Sequence, residues 1–240
     1  MRLSDFKVLT FDCYGTLIDW ETGIILALRP LLGKDRIARS RDEILAGFAR
    51  HETAQEAETP GMVYPELLAR VHRRLAEEWG IAAGEEEHRA FGSSVDDWPE
   101  FADSAASLRY LKRFYKIAIL SNVDRKSFAA SNQRLGVVFE AVYTAEDIGS
   151  YKPDPKNFRY MIEALKNSGH CERDILHIAQ SLFHDHAPAN TSGLASAWID
   201  RRRGAEALGA TLPPPKGVRY DFRFGSLAEM VEAHRGELRE

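Results

Sequence analysis

Phe11-Asp12-Cys13-Tyr14-Gly15-Thr16-Leu17 is the stretch of sequence that decides the fold. Its first residue, Phe11, is the last of a short run of apolar and β-branched residues that begins at Val8. Such a run predicts a buried strand. Asp12 therefore stands at the carboxyl end of this strand, shortly before a glycine turn. Open α/β sheets bind ligands at the carboxyl ends of their strands, so Asp12 is predicted to carry chemistry.

The rest of the chain divides into two kinds of pattern. From residue 101 onward, short apolar strands alternate with helical segments, which predicts a doubly wound parallel α/β sheet. We expect these strands at 115–120, 139–143, 175–179 and 194–199. Residues 20–100 show helical periodicity without a clear strand, with apolar side chains every four residues at Leu67, Val71, Leu75 and Trp79. We therefore expect a core domain of residues 1–18 and 101–240, with a helical cap domain of residues 19–100 inserted into it.

Composition narrows the class of protein. The 240 residues are 44% hydrophobic and 28% charged, with a formal net charge of −4, so no basic field argues for nucleic acid. No apolar run approaches the length of a membrane span. Cys13 and Cys171 are too few for a disulfide framework, and the N-terminus has no signal-peptide pattern, so we expect a cytoplasmic protein.

Four separated motifs occur in one order along the chain. They are F-D-C-Y-G-T-L at 11–17, I-L-S-N at 119–122, Y-K-P-D at 151–154 and a final Asp185 within S-L-F-H-D-H. In these motifs the chain resembles the haloacid dehalogenase superfamily and, within it, the L-2-haloacid dehalogenase (type II) branch. The resemblance implies a Rossmann-like core and a helical cap inserted after the first motif.

The residues and the resemblance together suggest a covalent mechanism. A carboxylate such as Asp12 can attack carbon or phosphorus and form an ester, which divides one difficult displacement into two steps. The resemblance implies that Lys152 offsets the charge of Asp12 and that Asp185 orients Lys152 and helps to activate water. Thr16 is expected to fix the Asp12 loop.

Tyr14 separates two reaction types within the superfamily. In the phosphatases, the resemblance places an aspartate here that protonates the leaving alkoxide, and general acid help is typically worth about 10²–10⁴-fold. A halide leaves without a proton, and the family's dehalogenases carry an aromatic residue at this position. Tyr14 therefore favours dehalogenation and is expected to contact the substrate.

The resemblance also implies the substrate contacts. Ser121 would hold the substrate carboxylate, Asn122 would lie near the departing halide, and a cap residue, Arg50 or His51, would cradle that halide. The chain departs from the family pattern at Phe158, Gln180 and Leu182, where the family carries a tyrosine, a serine and an asparagine. These departures affect contacts with the substrate and leave the nucleophile in place.

The sequence thus predicts a hydrolase in which Asp12 displaces halide from C2 of a short 2-halocarboxylate and water then hydrolyses the ester. No cofactor is required in this reaction. One alternative is a Mg²⁺-dependent phosphatase that acts on a small phosphate ester, with Asp12 and Asp185 as metal ligands. Another is a vestigial family member that binds an anion. The expected partner is a small anionic substrate, without nucleic acid or membrane, and a homodimer is left open.

Overall fold

A parallel β-sheet forms the centre of the computed structural model, which describes residues 1–239. Its strands are β1 Val8–Phe11, β2 Lys116–Ser121, β3 Ala141–Thr144, β4 Ile175–Ala179, β5 Ala195–Ile199 and β6 Phe222–Phe224. The strand order is β3-β2-β1-β4-β5-β6, and every neighbouring pair is parallel. The predicted doubly wound α/β fold is confirmed.

The central position of β1 brings the sequence motifs together. Phe11 pairs with Ile119 on one side and with Ile178 on the other. All residues of β1 and β4 are buried, as expected for parallel strands that are covered on both faces. Residues that directly follow β1, β2 and β4 therefore meet at one edge of the sheet.

Helices account for most of the remaining chain. Four of them lie within residues 19–100: α1 Trp20–Leu32, α2 Arg41–Glu58, α3 Tyr64–Trp79 and α4 Glu85–Ser93. The others are α5 Ser104–Leu111, α6 Arg125–Leu135, α7 Ala145–Ile148, α8 Pro155–Asn167, α9 Ala187–Thr191 and α10 Leu227–Glu237. Within residues 1–239, no helix combines the length and apolar character needed to span a bilayer.

We call residues 19–100 the helical insertion. The chain enters and leaves it through two adjacent segments, because the Asp19 N–H donates to the Pro99 carbonyl at 2.7 Å and the Phe101 N–H donates to the Leu17 carbonyl at 3.0 Å. Each of these two hydrogen bonds involves a residue, Leu17 or Asp19, that lies five to seven positions after Asp12 in the sequence. The position of the insertion agrees with the predicted cap, and its status as a separate domain stays a prediction.

Candidate active site

Asp12 lies in a tight turn directly after β1. The turn needs Gly15, whose φ of 91° is in the left-handed region that favours glycine, and a Cβ atom there would lie 2.9 Å from the indole nitrogen of Trp20. The Thr16 hydroxyl donates to Asp12 Oδ2 at 2.7 Å and accepts the Gln180 N–H at 2.9 Å. Thr16 therefore fixes the nucleophile candidate against the end of β4.

Lys152 lies between two carboxylates. Its Nζ donates to Asp12 Oδ1 at 2.9 Å, to Asp185 Oδ1 at 2.6 Å and to the Leu120 carbonyl at 3.0 Å. These three acceptors use all three N–H groups of an ammonium. The side chain is only 1% exposed, so the positive charge of Lys152 interacts with groups of the protein and not with water.

Asp185 lies in a π-helical turn, Leu182–His186, that follows β4. Besides Lys152, it contacts His177 of β4, whose Nε2 lies 3.0 Å from Asp185 Oδ1. The Nδ1 atom of His177 lies 2.9 Å from the Thr10 hydroxyl on β1. The sequence analysis missed His177, although a polar residue inside the apolar strand I-L-H-I-A was a usable signal.

The pKa values of Asp12 and Asp185 are shifted in opposite directions. Burial raises the pKa of Asp12, and the negative charge of Asp185 adds to this, while Lys152 and Thr16 favour the carboxylate. Burial also acts on Asp185, but Lys152 and the His177 hydrogen bond outweigh it and lower its pKa. The same two carboxylates outweigh burial at Lys152 and raise its pKa, so that it remains an ammonium.

The predicted substrate contacts have different fates. Ser121 ends β2, and its buried Oγ has no hydrogen-bond partner, so it is free for a ligand. Asn122 is already engaged: its Oδ1 accepts the Lys152 N–H at 2.6 Å, and its Nδ2 donates to the Lys152 carbonyl and to Glu56 Oε1, both at 2.9 Å. Asn122 therefore positions the backbone of Lys152 and does not offer a free amide to a halide.

Tyr14 is buried beside Asp12, and its ring meets the Trp98 ring edge-on with centroids 5.6 Å apart. Its hydroxyl lies 2.7 Å from the Ser131 Oγ and donates to the Ser127 carbonyl at 3.3 Å. Burial raises the pKa of Tyr14 well above its ordinary value. Tyr14 is thus a packed wall residue whose hydroxyl points to α6, and it is a poor proton donor.

The structure corrects the prediction for the helical insertion. Arg50 and His51 do not reach this site, because both bind Glu78: an Arg50 Nη2 donates to it at 2.8 Å and His51 Nε2 lies 2.5 Å from it. The residues of α2 that do face the site are Glu52 and Glu56, which are 3% and 5% exposed. The insertion therefore presents carboxyl groups where a cation was expected.

A helical register would have found these two glutamates. Ile44 and Phe48 share one face of α2, and continuing that face by four and by eight residues from Phe48 gives Glu52 and Glu56. The resemblance pointed to the basic residues beside this face, and the periodicity pointed to the face itself. The periodicity was the better guide, because it follows from how a helix packs.

His184 completes the polar wall. It is buried, and its Nε2 has no hydrogen-bond partner and lies 3.8 Å from Glu56 Oε2. Burial lowers the pKa of His184 to about 4, so the imidazole is neutral at pH 7. Within His184-Asp185-His186, the side chains that line the site are those of His184 and Asp185.

These groups surround one small cavity at the carboxyl edge of the sheet. Its walls also include Trp20, Tyr64, Val123 and Ser181. The free volume is about 30 Å³, which is room for roughly two water molecules. Side chains of the helical insertion therefore form one wall of a narrow site.

The residues do not fit the divalent cation of the phosphatase alternative. The Lys152 ammonium lies between Asp12 and Asp185, in the position from which a cation would bridge them. Across residues 1–239, no three His, Cys, Asp or Glu side chains are grouped around a common point. The ammonium of Lys152 supplies the positive charge between the two carboxyls in this arrangement.

A buried aspartate at the end of the central strand, with a lysine and a second aspartate from later strand ends, defines a hydrolase of the haloacid dehalogenase type. A model of the haloacid dehalogenase-like hydrolase family matches residues 6–178, and the chain belongs to this family. Among curated proteins, it is similar to the HAD-hydrolase YfnB of Bacillus subtilis (strain 168). The two are 24% identical over 207 aligned residues, which are 81% of this chain and 84% of the relative.

Solved structures of L-2-haloacid dehalogenases share the fold. The enzyme from Xanthobacter autotrophicus, solved with chloropropionic acid covalently bound, superposes with a TM-score of 0.76 at 18% identity, covering 96% of this chain and 99% of that one. The defluorinating L-2-haloacid dehalogenase Rha0230 gives a TM-score of 0.74 at 20% identity, covering 98% and 99%. At these identities the likeness establishes the fold.

Proposed function

We propose that the protein hydrolyses a carbon–halogen bond through an ester formed on Asp12. The reacting part of the substrate is a short 2-halocarboxylate. The observation that carries this proposal is the position of Lys152 between Asp12 and Asp185. It supplies the positive charge of the site without a metal. The fold shared with L-2-haloacid dehalogenases supports the same reaction class.

In the first step, a carboxylate oxygen of Asp12 attacks C2 of the substrate as the carbon–halogen bond breaks. The halide leaves with the bonding electron pair, and C2 is inverted. No proton donor is needed for this departure, which agrees with the packed and hydrogen-bonded Tyr14. The Ser121 Oγ is available to hydrogen-bond the substrate carboxylate.

In the second step, water attacks the carbonyl carbon of the Asp12 ester and releases the 2-hydroxy acid. C2 is not touched again, so the product is inverted overall. Asp185 is the group expected to help activate this water, and its lowered pKa keeps it a carboxylate that can accept a hydrogen bond from the water.

The test is halide release from chloroacetate, L-2-chloropropionate and fluoroacetate, with p-nitrophenyl phosphate as the competing substrate, each in EDTA or in Mg²⁺. We expect halide release that persists in EDTA. Asp12→Asn should abolish it, because an amide is not a nucleophile of this kind. A thermal melt of the variant controls for folding.

A single turnover in ¹⁸O-labelled water adds a direct readout. Attack on the ester carbonyl places the solvent oxygen in Asp12 and the old Asp12 oxygen in the product, and peptide mass spectrometry distinguishes the two. Label found only in the product would contradict the ester. Phosphate release that requires Mg²⁺ would support the phosphatase, and no turnover of any compound would support a vestigial anion-binding protein.

A further inference from the structure

Two carboxyl groups of α2 are buried in the site without a cation of their own. Glu56 accepts a hydrogen bond from Asn122 Nδ2 through Oε1, and Glu52 accepts one from the Tyr64 hydroxyl. Both partners are neutral donors. Burying a charged carboxylate away from water is costly unless a charge of opposite sign accompanies it. Burial accordingly raises the pKa of Glu56 well above its ordinary value and the pKa of Glu52 to about 8, so without a cationic ligand these carboxyls hold protons at pH 7. A cationic ligand would supply the positive charge that lets Glu56 ionise.

The cations of the protein are used elsewhere. Lys152 is shared by Asp12 and Asp185, and it has no N–H left for Glu56. Arg50 binds Glu78 outside the cavity. The lining of the cavity thus holds four carboxyl groups and one ammonium, and an anionic ligand meets no free positive charge there.

A second observation points to a ligand in the same place. Among the side chains of residues 1–239, three buried polar atoms in this cavity have no hydrogen-bond partner: Glu56 Oε2, His184 Nε2 and Ser121 Oγ. The first two lie 3.8 Å apart, which is too long for a direct hydrogen bond. A group with several N–H donors can satisfy both at once.

We propose that Glu56, assisted by Glu52 and His184, binds a protonated amine of the substrate. This inference rests on the proposed function for the reacting carbon and names the substrate class. The substrate is then a halocarboxylate that also carries an ammonium group, with its acid at Ser121 and its amine at α2. Such a zwitterion brings the missing cation into the cavity and adds no net negative charge.

Binding of three unreactive probes tests this inference in the wild-type protein. Propylammonium carries the amine alone, propionate carries the acid alone, and β-alanine carries both. Isothermal titration calorimetry at pH 7 measures each affinity. A hydrogen bond to a charged partner is worth enough that we expect propylammonium and β-alanine to bind about tenfold or more tightly than propionate.

Glu56→Gln is the matching variant, because its amide oxygen can still accept the hydrogen bond from Asn122 while the charge is removed. We expect it to reduce the preference for the amine about tenfold. Glu58→Gln is the control: it makes the same change two residues along α2, at an exposed carboxylate paired with Arg74, and should leave the preference unchanged.

Propionate binding as tightly as propylammonium, or an amine preference that survives Glu56→Gln, would overturn the inference. The outcome is separate from that of the halide assay. Amine preference without halide release from any compound, 3-amino-2-chloropropionate included, would reject the proposed reaction and leave the amine site standing. Halide release with propionate as the tightest probe would do the opposite.

Discussion

Lys152 is the residue at which the charges of the site meet. Its ammonium is buried, and it contacts one carboxylate at the end of β1 and another after β4. The resemblance implied this role through the Y-K-P-D motif at 151–154. It could not predict that Asn122 holds the Lys152 backbone from both sides, since that contact joins residues 30 positions apart.

Replacing Lys152 is predicted to damage both activity and stability. Lys152→Met keeps the length of the side chain and removes the charge, which leaves Asp12 and Asp185 as neighbouring buried carboxyls. Breaking a buried ion pair in this way typically costs about 3–5 kcal/mol. Asp12 would then take up a proton and lose its nucleophilic form, so we expect kcat to fall by about 10²-fold or more.

Urea unfolding and halide release measure the two effects of Lys152→Met. Lys156→Met is the control, because Lys156 is an exposed lysine at the start of α8. The interpretation of Lys152 as the central cation fails if both variants unfold at the same urea concentration and turn over at the wild-type rate.

At the scale of elements, the sequence predicted the sheet well and the side chains of the helical insertion less well. β4 was predicted at its observed bounds, and β2 and β5 were each predicted within one residue, because buried parallel strands are short apolar runs. β6 was missed, because three residues that pair only with β5 carry too little pattern. The residues by which α2 lines the site were not predicted. The resemblance pointed to Arg50 and His51, which bind Glu78 outside the cavity.

The carboxyl groups of α2 give a prediction for stability against pH. Burial raises the pKa of Glu52 from 4.5 to about 8, while the Tyr64 hydrogen bond only partly opposes this. Between those pH values the folded protein binds a proton that the unfolded chain has released. The contribution of Glu52 to the free energy of unfolding therefore falls as the pH rises from 4.5 to 8, and it levels off above 8.

Glu52→Gln should remove this dependence, because the amide is neutral at every pH. The unfolding free energy of the variant minus that of the wild type should rise on the order of 2–4 kcal/mol between pH 5 and pH 8.5. Urea unfolding at pH 5, 7 and 8.5 measures it, with Glu58→Gln again as the exposed control. A difference that stays constant across this range would mean that Glu52 is ionised in the folded protein.

At the scale of the whole molecule, the small size of the cavity favours movement during the reaction. With a free volume of about 30 Å³ it is tight for a halocarboxylate, so we expect the helical insertion to shift when a substrate enters. Tyr151 joins the two sides directly, since its hydroxyl donates to the Met62 carbonyl. The seating of the insertion on the core therefore bears on both stability and turnover.

Gly23 of α1 packs against Trp98, the residue through which the insertion contacts Tyr14 of the core. A Cβ atom there would come within 2.3 Å of the Trp98 side chain, which lies at the return from the insertion and packs on Tyr14 beside Asp12. Alanine in a helix is otherwise favoured over glycine by about 0.5–1 kcal/mol, so the clash decides the sign. We expect Gly23→Ala to lower stability by about 1–3 kcal/mol, as overpacking does, and to lower kcat through the displaced Trp98.

Gly236→Ala in α10, where a Cβ meets no atom within 4 Å, is the matched control and should be neutral or stabilising. Urea unfolding and halide release of both variants measure these effects, and a Gly23→Ala protein as stable and active as Gly236→Ala would show that this contact does not seat the insertion.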